Sequence, residues 1–436
     1  MSSEWPQVSL KEITSTLGDG LHGTPEYDKD GDYFFINGNN LGSGKIVFNE
    51  ATKRVSFNEY NKHKKNLTDR TILVSINGTL GNVAFYNGEK VVLGKSACYF
   101  NVIESVDKHF IRYVMESEIF QGYIENLATG STIKNVSLKL MRNFQFRIPP
   151  IALQQKISGI LTCLDDRISL LRETNTALEA IAQTLFKSWF VDFDPVHAKQ
   201  QGRQPEGMDA ATAALFPGSF EESELGLVPK GWCVAPVGDV VESVGGGTPN
   251  TKESEYWEPG EFAWTTPKDL SGLQSPVLLK TERLLSSKGI SKVSSGLLPI
   301  GTLLLSSRAP IGYLAMAQIP LAINQGYIAI LPSSQLPPLY MYFWCKQNME
   351  VIKSRANGST FMEISKKAFR PIPALVPDND VLNAFLNTVG PVFSRLTENE
   401  KQAQTLATLR DTLLPRLISG QLRLPESNLE MNGIAA

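Results

Sequence analysis

Thr129 to Pro150 reads TGSTIKNVSLKLMRNFQFRIPP, and Asn357 to Asp378 reads NGSTFMEISKKAFRPIPALVPD. Laid over one another without gaps, the two stretches share Gly130/Gly358, Ser131/Ser359, Thr132/Thr360, Ser137/Ser365, Lys139/Lys367, Arg142/Arg370 and Pro149/Pro377. Chance rarely aligns glycine, proline and hydroxyls together. A period near half the chain length lies far beyond the roughly 20–50 residues of solenoids and propellers, so one module is written twice.

Upstream the repeat continues with small shifts. LVSINGTLGNVAFY from Leu73 matches LLSSRAPIGYLAMA from Leu304, sharing Leu73/Leu304, Ser75/Ser306, Gly81/Gly312 and Ala84/Ala315. Trp5 and Trp232 open the two halves, and each is followed by Gly-Thr-Pro, at Gly23 and at Gly247.

The first part of each half carries glycine, β-branched and aromatic residues in short apolar runs, such as Thr71 to Ile76 and Ile323 to Leu331, which predicts short strands joined by loops. The period then changes. Ile157, Leu161, Leu164, Ile168, Leu171, Asn175, Leu178, Ala182, Leu185 and Trp189 step alternately by four and three, the seam of a coiled coil. The second copy repeats the rhythm at Phe385, Val389, Val392, Leu396, Asn399, Ala403, Leu406, Arg410, Leu413 and Leu417. Helices over residues 152–190 and 380–418 are expected to reach roughly 50 Å and to pair antiparallel, since related copies about a pseudo-twofold axis run oppositely. Gly390-Pro391 should kink or delay the second helix, because proline lacks the amide donor. Residues 198–230 have no sustained period and read as a linker.

The 436 residues carry 42 Lys+Arg against 44 Asp+Glu, a formal net charge of -2. That balance makes any nucleic-acid surface a local one. One such stretch runs from Lys53 and Arg54 through Lys62, Lys64 and Lys65 to Arg70, with Phe57 and Tyr60 interleaved. Cys98, Cys163, Cys233 and Cys345 are scattered without a CxxC pair, which argues against zinc and disulfides and for a reducing compartment. Met1 to Leu10 has no apolar run of the secretory kind, and apolar stretches such as Leu297 to Leu305 fall far short of the ~20 residues a bilayer needs, so no membrane association is expected.

A search for catalytic chemistry mostly fails. His22, His63, His109 and His197 lie far apart, and none has metal-ligand spacing. Gly38 to Lys45 lacks the first glycine of a phosphate loop, and Ile46 stands where Ser or Thr would hold magnesium. Asp194-Pro195-Val196-His197 lacks the second proline and the aromatic that an amino-methyltransferase presents to a flipped base. The chain is therefore expected to be no enzyme by itself.

What remains is binding hardware: loops dense in Asn, Gln, Ser, Thr, Lys and Arg. Asn or Gln matches adenine bidentately, Arg or Lys matches guanine, and hydroxyls grip phosphate. The base-reading candidates are Asn77, Lys95, Arg308, Asn324 and Gln325, and the phosphate candidates are Lys62, Lys64, Lys65, Ser131, Thr132, Lys134, Ser359 and Thr360. A turn or helix cap is the competing role for the two Gly-Ser-Thr triplets. Phe186, Trp189 and Phe190 are candidates for seating a partner protein, with burial inside the coiled coil as the alternative.

IPPIALQQKI from Ile148, LDDRISLLRETNTALEAIAQTLFKSWFVDFDP from Leu164 and LRDTLLPRLISGQL from Leu409 resemble the specificity subunits of type I restriction-modification systems. GGGTPN from Gly245, WTTPKDL from Trp264, SRAPIGYLA from Ser307 and NQGY from Asn324 are similar to that family's target-recognition domains. The first half departs from these, with Asn77-Gly78-Thr79-Leu80 where the second has Arg308-Ala309-Pro310-Ile311.

The resemblance implies an α+β fold: two similar target-recognition domains separated by two long antiparallel helices that form a coiled coil, in a pseudo-twofold arrangement. The expected division is 1–150 and 231–378 for the recognition domains, 151–197 and 379–420 for the spacer helices, 198–230 for the linker and 421–436 for a flexible tail. It further implies a cytoplasmic subunit that reads a bipartite site on double-stranded DNA. Two modification (methyltransferase) subunits, and in a full system two restriction (motor-nuclease) subunits, would be its partners. S-adenosylmethionine, ATP and magnesium would sit on those partners, with no cofactor in this chain. Competing readings are the specificity partner of a fused enzyme outside type I, and a coiled-coil scaffold with no DNA role.

Overall fold

A computed structural model describes residues 5–42, 44–130, 133–308, 310–358 and 362–424. Of the tail expected over 421–436, residues 425–436 lie outside them. The chain forms two compact units, residues 1–167 with 405–436, and residues 168–404.

In the first unit, Gln7–Ser9 pairs antiparallel with Gln145–Arg147, tying the start of the module to its end. The main sheet has four antiparallel strands in the order Thr14–Asp19, Ala97–Val102, Thr71–Ser75, Val83–Phe85. A smaller sheet orders Arg54–Val55, Tyr33–Ile36 and Val91–Leu93, the last two parallel. Every residue of Thr71–Ser75 is buried, which is why this strand reads as a continuous apolar run without alternation. Its core gathers Ile72, Val74, Phe100, Phe110 and Phe144 together with Ile157, Leu161, Leu417 and Ile418 from the long helices.

The second unit repeats the plan. Cys233–Pro236 pairs with Pro373–Val376. Ser243–Val244, Tyr327–Ile330, Leu303–Ser306 and Leu314–Ala317 follow the same order as their counterparts, with Val277–Leu278 added as a fifth strand. Arg283–Leu285, Phe262–Thr265 and Leu321–Ile323 rebuild the small sheet, again with one parallel pair. The run from Ile323 to Leu331 is thus two strands in two sheets. Asn324 Oδ1 accepts the Gly326 amide at 2.8 Å and turns the chain between them.

The residues shared by the copies hold this plan together. Ser137 and Ser365 cap matched short helices, each accepting a backbone amide at 3.2 Å. Arg142 donates to the Leu17 carbonyl at 3.0 Å and Arg370 to the Ser243 carbonyl at 2.8 Å, fixing the first strand of each main sheet. Gly130 and Gly358 adopt φ of 103° and 105°, where a side chain is strained.

Two helices of 40 residues each, Ile151–Phe190 and Asn379–Ile418, carry the seam. In the first unit Asp165 is their meeting point: it takes Arg410 at 2.7 Å, Arg112 at 2.9 Å and the Tyr113 hydroxyl at 2.8 Å. In the second, buried Asn175 donates to the Leu396 carbonyl at 3.1 Å and accepts from Asn399 at 3.0 Å, while further along Phe186 meets Phe385 at 5.9 Å. Numbers rise on one helix as they fall on the other, so the pair is antiparallel there. Glu179 accepts from the Tyr342 hydroxyl and from Lys346. Burial pushes the Tyr113 and Tyr342 phenols far above their ordinary range, so both remain neutral donors.

Three expectations are corrected. Gly390-Pro391 does not delay the second helix, which starts at Asn379. Pro391 and Asn387, whose carbonyl loses its partner, are both exposed, so the unpaired carbonyl is not sealed in the core. The linker over 198–230 is folded: the helices Asp194–Gln200 and Ala210–Leu215 and the hairpin Phe220–Ser223/Gly226–Pro229 pack Val196, Phe216 and Val228 around Trp232. Phe186, Trp189 and Phe190 are 3%, 5% and 5% exposed, so they offer no open face to a partner protein. They pack on Phe385, and Phe186 and Phe190 also on Tyr340. Each such side chain contributes roughly 2–3 kcal/mol by burial.

Asp165→Ala leaves Arg112 and Arg410 without their shared acceptor and is expected to cost about 3 kcal/mol in urea unfolding followed by circular dichroism. Asn175→Leu alone strands the Asn399 amide and should cost about 1–3 kcal/mol, whereas Asn175→Leu with Asn399→Leu should recover most of that loss. Additive losses in the double variant would contradict the seam assignment.

Candidate nucleic-acid interface

Three loops meet at one backbone junction in each unit. In the first, the Ile76 amide donates to the Ser96 carbonyl at 2.9 Å and the Ile76 carbonyl accepts from Val136 at 2.8 Å. In the second, the Ser307 amide donates to Gly326 at 2.8 Å and the Ser307 carbonyl accepts from Ile364 at 2.9 Å. The junction thus brings Asn77, Lys95, Lys134 and Asn135 together, and at matched places Arg308, Gln325 and Glu363. Beyond it, Thr129 and Asn135 exchange backbone bonds at 2.9 and 2.8 Å, and Asn357 and Glu363 do the same at 2.9 Å each.

Glycine is needed beside the junction. A Cβ on Gly20 would lie 2.1 Å from the Leu93 carbonyl oxygen, and one on Gly246 would lie 1.8 Å from that of Ile323. The backbone equivalence is therefore Leu21 with Gly247, whose amides donate to those same two carbonyls at 2.7 and 3.0 Å. The Gly-Thr-Pro triplets stand two positions out of step with it, because the loops between the first strands differ.

The side chains on this common frame differ. Asn77 donates its amide to Asn135 Oδ1 at 3.1 Å. Arg308 faces Glu363 at 3.7 Å, with the two side chains 36% and 48% exposed. Lys95 and Lys134 are exposed. Gln325 is exposed too, and its Oε1 accepts from Thr248 at 2.5 Å. A groove of about 270 Å³ runs beside it, lined by Gly245, Ser294, Ser307, Gln325, Glu363 and Lys366. Its floor holds Tyr327, whose hydroxyl meets Thr265 Oγ1 at 3.1 Å. Burial raises that phenol far above its usual range, leaving it neutral. Polar donors and acceptors project from a hydrogen-bonded backbone ledge, which suits the donor and acceptor edges of bases.

Other sequence candidates fall elsewhere. Asn324 spends its carbonyl on closing its own turn. Lys62 pairs with Glu59 at 3.3 Å and Lys64 reaches Asn61 at 3.3 Å, on and just after the helix Phe57–His63; Lys65 is exposed beside them. No hydrogen bond or ion pair among the described residues joins these three lysines to the junction. Arg70 is committed to the carbonyls of Val102, Ile103 and Val106 at 2.6–2.8 Å. Ser131, Thr132, Ser359 and Thr360 lie outside the described residues. Asn135 and Glu363 were missed by sequence reasoning; they stand at matched places between the shared Thr132/Thr360 and Ser137/Ser365.

A family described as "Type I restriction modification DNA specificity domain" matches residues 2–180 and again residues 229–403, so both junctions lie inside a match. The chain is similar to the type I restriction enzyme MjaIX specificity subunit of Methanocaldococcus jannaschii, 37% identical over 185 residues that make up 42% of each chain. It therefore spans less than half the length of that relative. The HindI specificity subunit of Haemophilus influenzae is 28% identical over 334 residues, covering 67% of this chain and 72% of that one. In fold, the chain resembles the crystal structure of the type I restriction-modification system S subunit from M. genitalium, with a TM-score of 0.54 at 19% identity over 95% of this chain and 96% of the other. Two family matches, one on each copy of a duplicated module with the same strand order and the same loop junction, place this chain in the type I restriction-modification specificity family.

Proposed function

We propose that this chain is the non-catalytic DNA-reading subunit of a type I restriction-modification complex, each recognition domain reading one half of a bipartite site. The observation that carries the reading is the junction built twice on one backbone frame with different polar side chains. A duplicated reader of two unlike half-sites requires that combination. In this reading residues 1–150 and 231–378 are the recognition domains, and the long helices, 151–197 and 379–420, set the spacing between half-sites. The chain positions two methyltransferase subunits on double-stranded DNA, and in a full system two motor-nuclease subunits. S-adenosylmethionine, ATP and magnesium belong to those partners, and the complex works in the cytoplasm, where the DNA it surveys is reached. Among the described residues no helix is long and apolar enough to cross a membrane.

The chain assembled with its modification subunit should protect a split sequence in a nuclease footprint and transfer methyl groups from a labelled donor, while the chain alone transfers none. A continuous footprint, or methylation by the isolated chain, would contradict the assignment. Inserting one helical turn, ~5.4 Å, into both long helices should widen the unread spacer by about two base pairs at ~3.4 Å per step while both half-sites persist, as read by methylation mapping.

A further inference from the structure

The polar pairs on the two ledges have complementary chemistry. Asn77 and Asn135 face each other across a backbone bridge, and so do Arg308 and Glu363 at the matched bridge of the second unit. One ledge therefore presents two amides side by side, the other a guanidinium beside a carboxylate.

In the major groove a G·C pair shows two acceptors, N7 and O6 of guanine, followed by one donor, N4 of cytosine. An A·T pair shows an acceptor, N7, a donor, N6, and an acceptor, O4 of thymine. An arginine offers two donors and a neighbouring glutamate an acceptor, which is the complement of G·C. One asparagine offers a donor and an acceptor and its neighbour a second donor, which is the complement of A·T.

We propose that each ledge is a two-residue base-pair reader, Arg308 with Glu363 selecting G·C in one half-site and Asn77 with Asn135 selecting A·T in the other. The proposal rests on the DNA-reading function above and deepens it. Two further observations favour reading over a purely structural role. The Arg308–Glu363 ion pair is long and exposed, a geometry that contributes little stability. The fold of the junction does not require it either, because the first unit builds the same backbone bonds with an amide pair. A carboxylate on a DNA-facing ledge is repelled by phosphate and gains from being there only by meeting a base donor or by orienting the arginine. Lys366, exposed on the groove beside Glu363, is placed to offset that repulsion.

The test is selection of bound duplexes from a randomised library by the full chain assembled with its modification subunits. Arg308→Asn with Glu363→Asn should convert one position of one half-site from G·C to A·T, a change in preference of about tenfold to a hundredfold. Asn77→Arg with Asn135→Glu should do the reverse in the other half-site. The untouched half-site should keep its sequence in each case, which also reports that the variant is folded and assembled. The near-isosteric Glu363→Gln should relax the same G·C position without changing any other. An unchanged consensus, or uniform weakening for all sequences, overturns the proposal while leaving the DNA-reading function standing. A wild-type complex that selects no bipartite sequence overturns both.

Discussion

The backbone bonds made by Ile76, and again by Ser307, are the constraint on which the proposed recognition surface depends. A residue bonded through its amide to one loop and through its carbonyl to another fixes three chain segments without using any side chain. What projects from those segments is then free to vary. Asn77 with Lys95 and Asn135 can become Arg308 with Gln325 and Glu363 while every junction bond stays within 2.8–2.9 Å. Placing the shared interactions in the backbone lets one frame carry two different sets of polar side chains.

The long helices impose a second constraint of a different kind. Their seams are largely apolar, yet each unit holds a polar lock on them: Asp165 with Arg112 and Arg410 in the first, Asn175 with Asn399 in the second. A purely apolar seam permits slippage, because Leu and Ile are equivalent partners at neighbouring heptads, whereas a buried amide or carboxylate has one low-energy register. The stability forgone by burying polar groups is exchanged for a defined pairing length. A slip of one heptad, seven residues at ~1.5 Å each, would move the paired ends by ~10 Å.

Much of this was legible in the sequence, and for identifiable reasons. The seam was legible because alternating three- and four-residue steps have one structural meaning, and buried Ile157, Leu161, Ile168, Leu171, Ala182 and Trp189 follow it. The duplication was legible because Gly130/Gly358, Ser137/Ser365 and Arg142/Arg370 do backbone work that tolerates few alternatives. The sequence left the aromatic residues at 186, 189 and 190 open between exposure and burial, because periodicity places one face of a helix against its partner but says nothing about the other. That face is covered by Tyr340 and by Phe216, Trp232 and their neighbours, which are distant in sequence. The folded connection escaped for the same reason, since Val196, Phe216 and Val228 are isolated apolar residues whose burial depends on Trp232. Asn135 and Glu363 escaped because their partners stand on another loop, 58 residues away for Asn135, and no local pattern marks a pair.

The charge balance bears on how affinity and selectivity are divided. A chain with net charge -2 has no surplus of cations with which to displace many counterions from DNA, so binding by phosphate neutralisation alone would be weak. Its cations at the two ledges are few: Lys95 and Lys134 on one, Arg308 and Lys366 on the other. Such a surface discriminates better than it holds, because discrimination rests on matched donors and acceptors at base edges, whereas holding rests on the number of neutralised phosphates. Partners that carry the basic channel can supply the second property without touching the first. In the proposed complex, affinity and sequence choice are therefore separable, and side chains at the ledge can change what is read with little effect on how tightly the assembly grips the duplex.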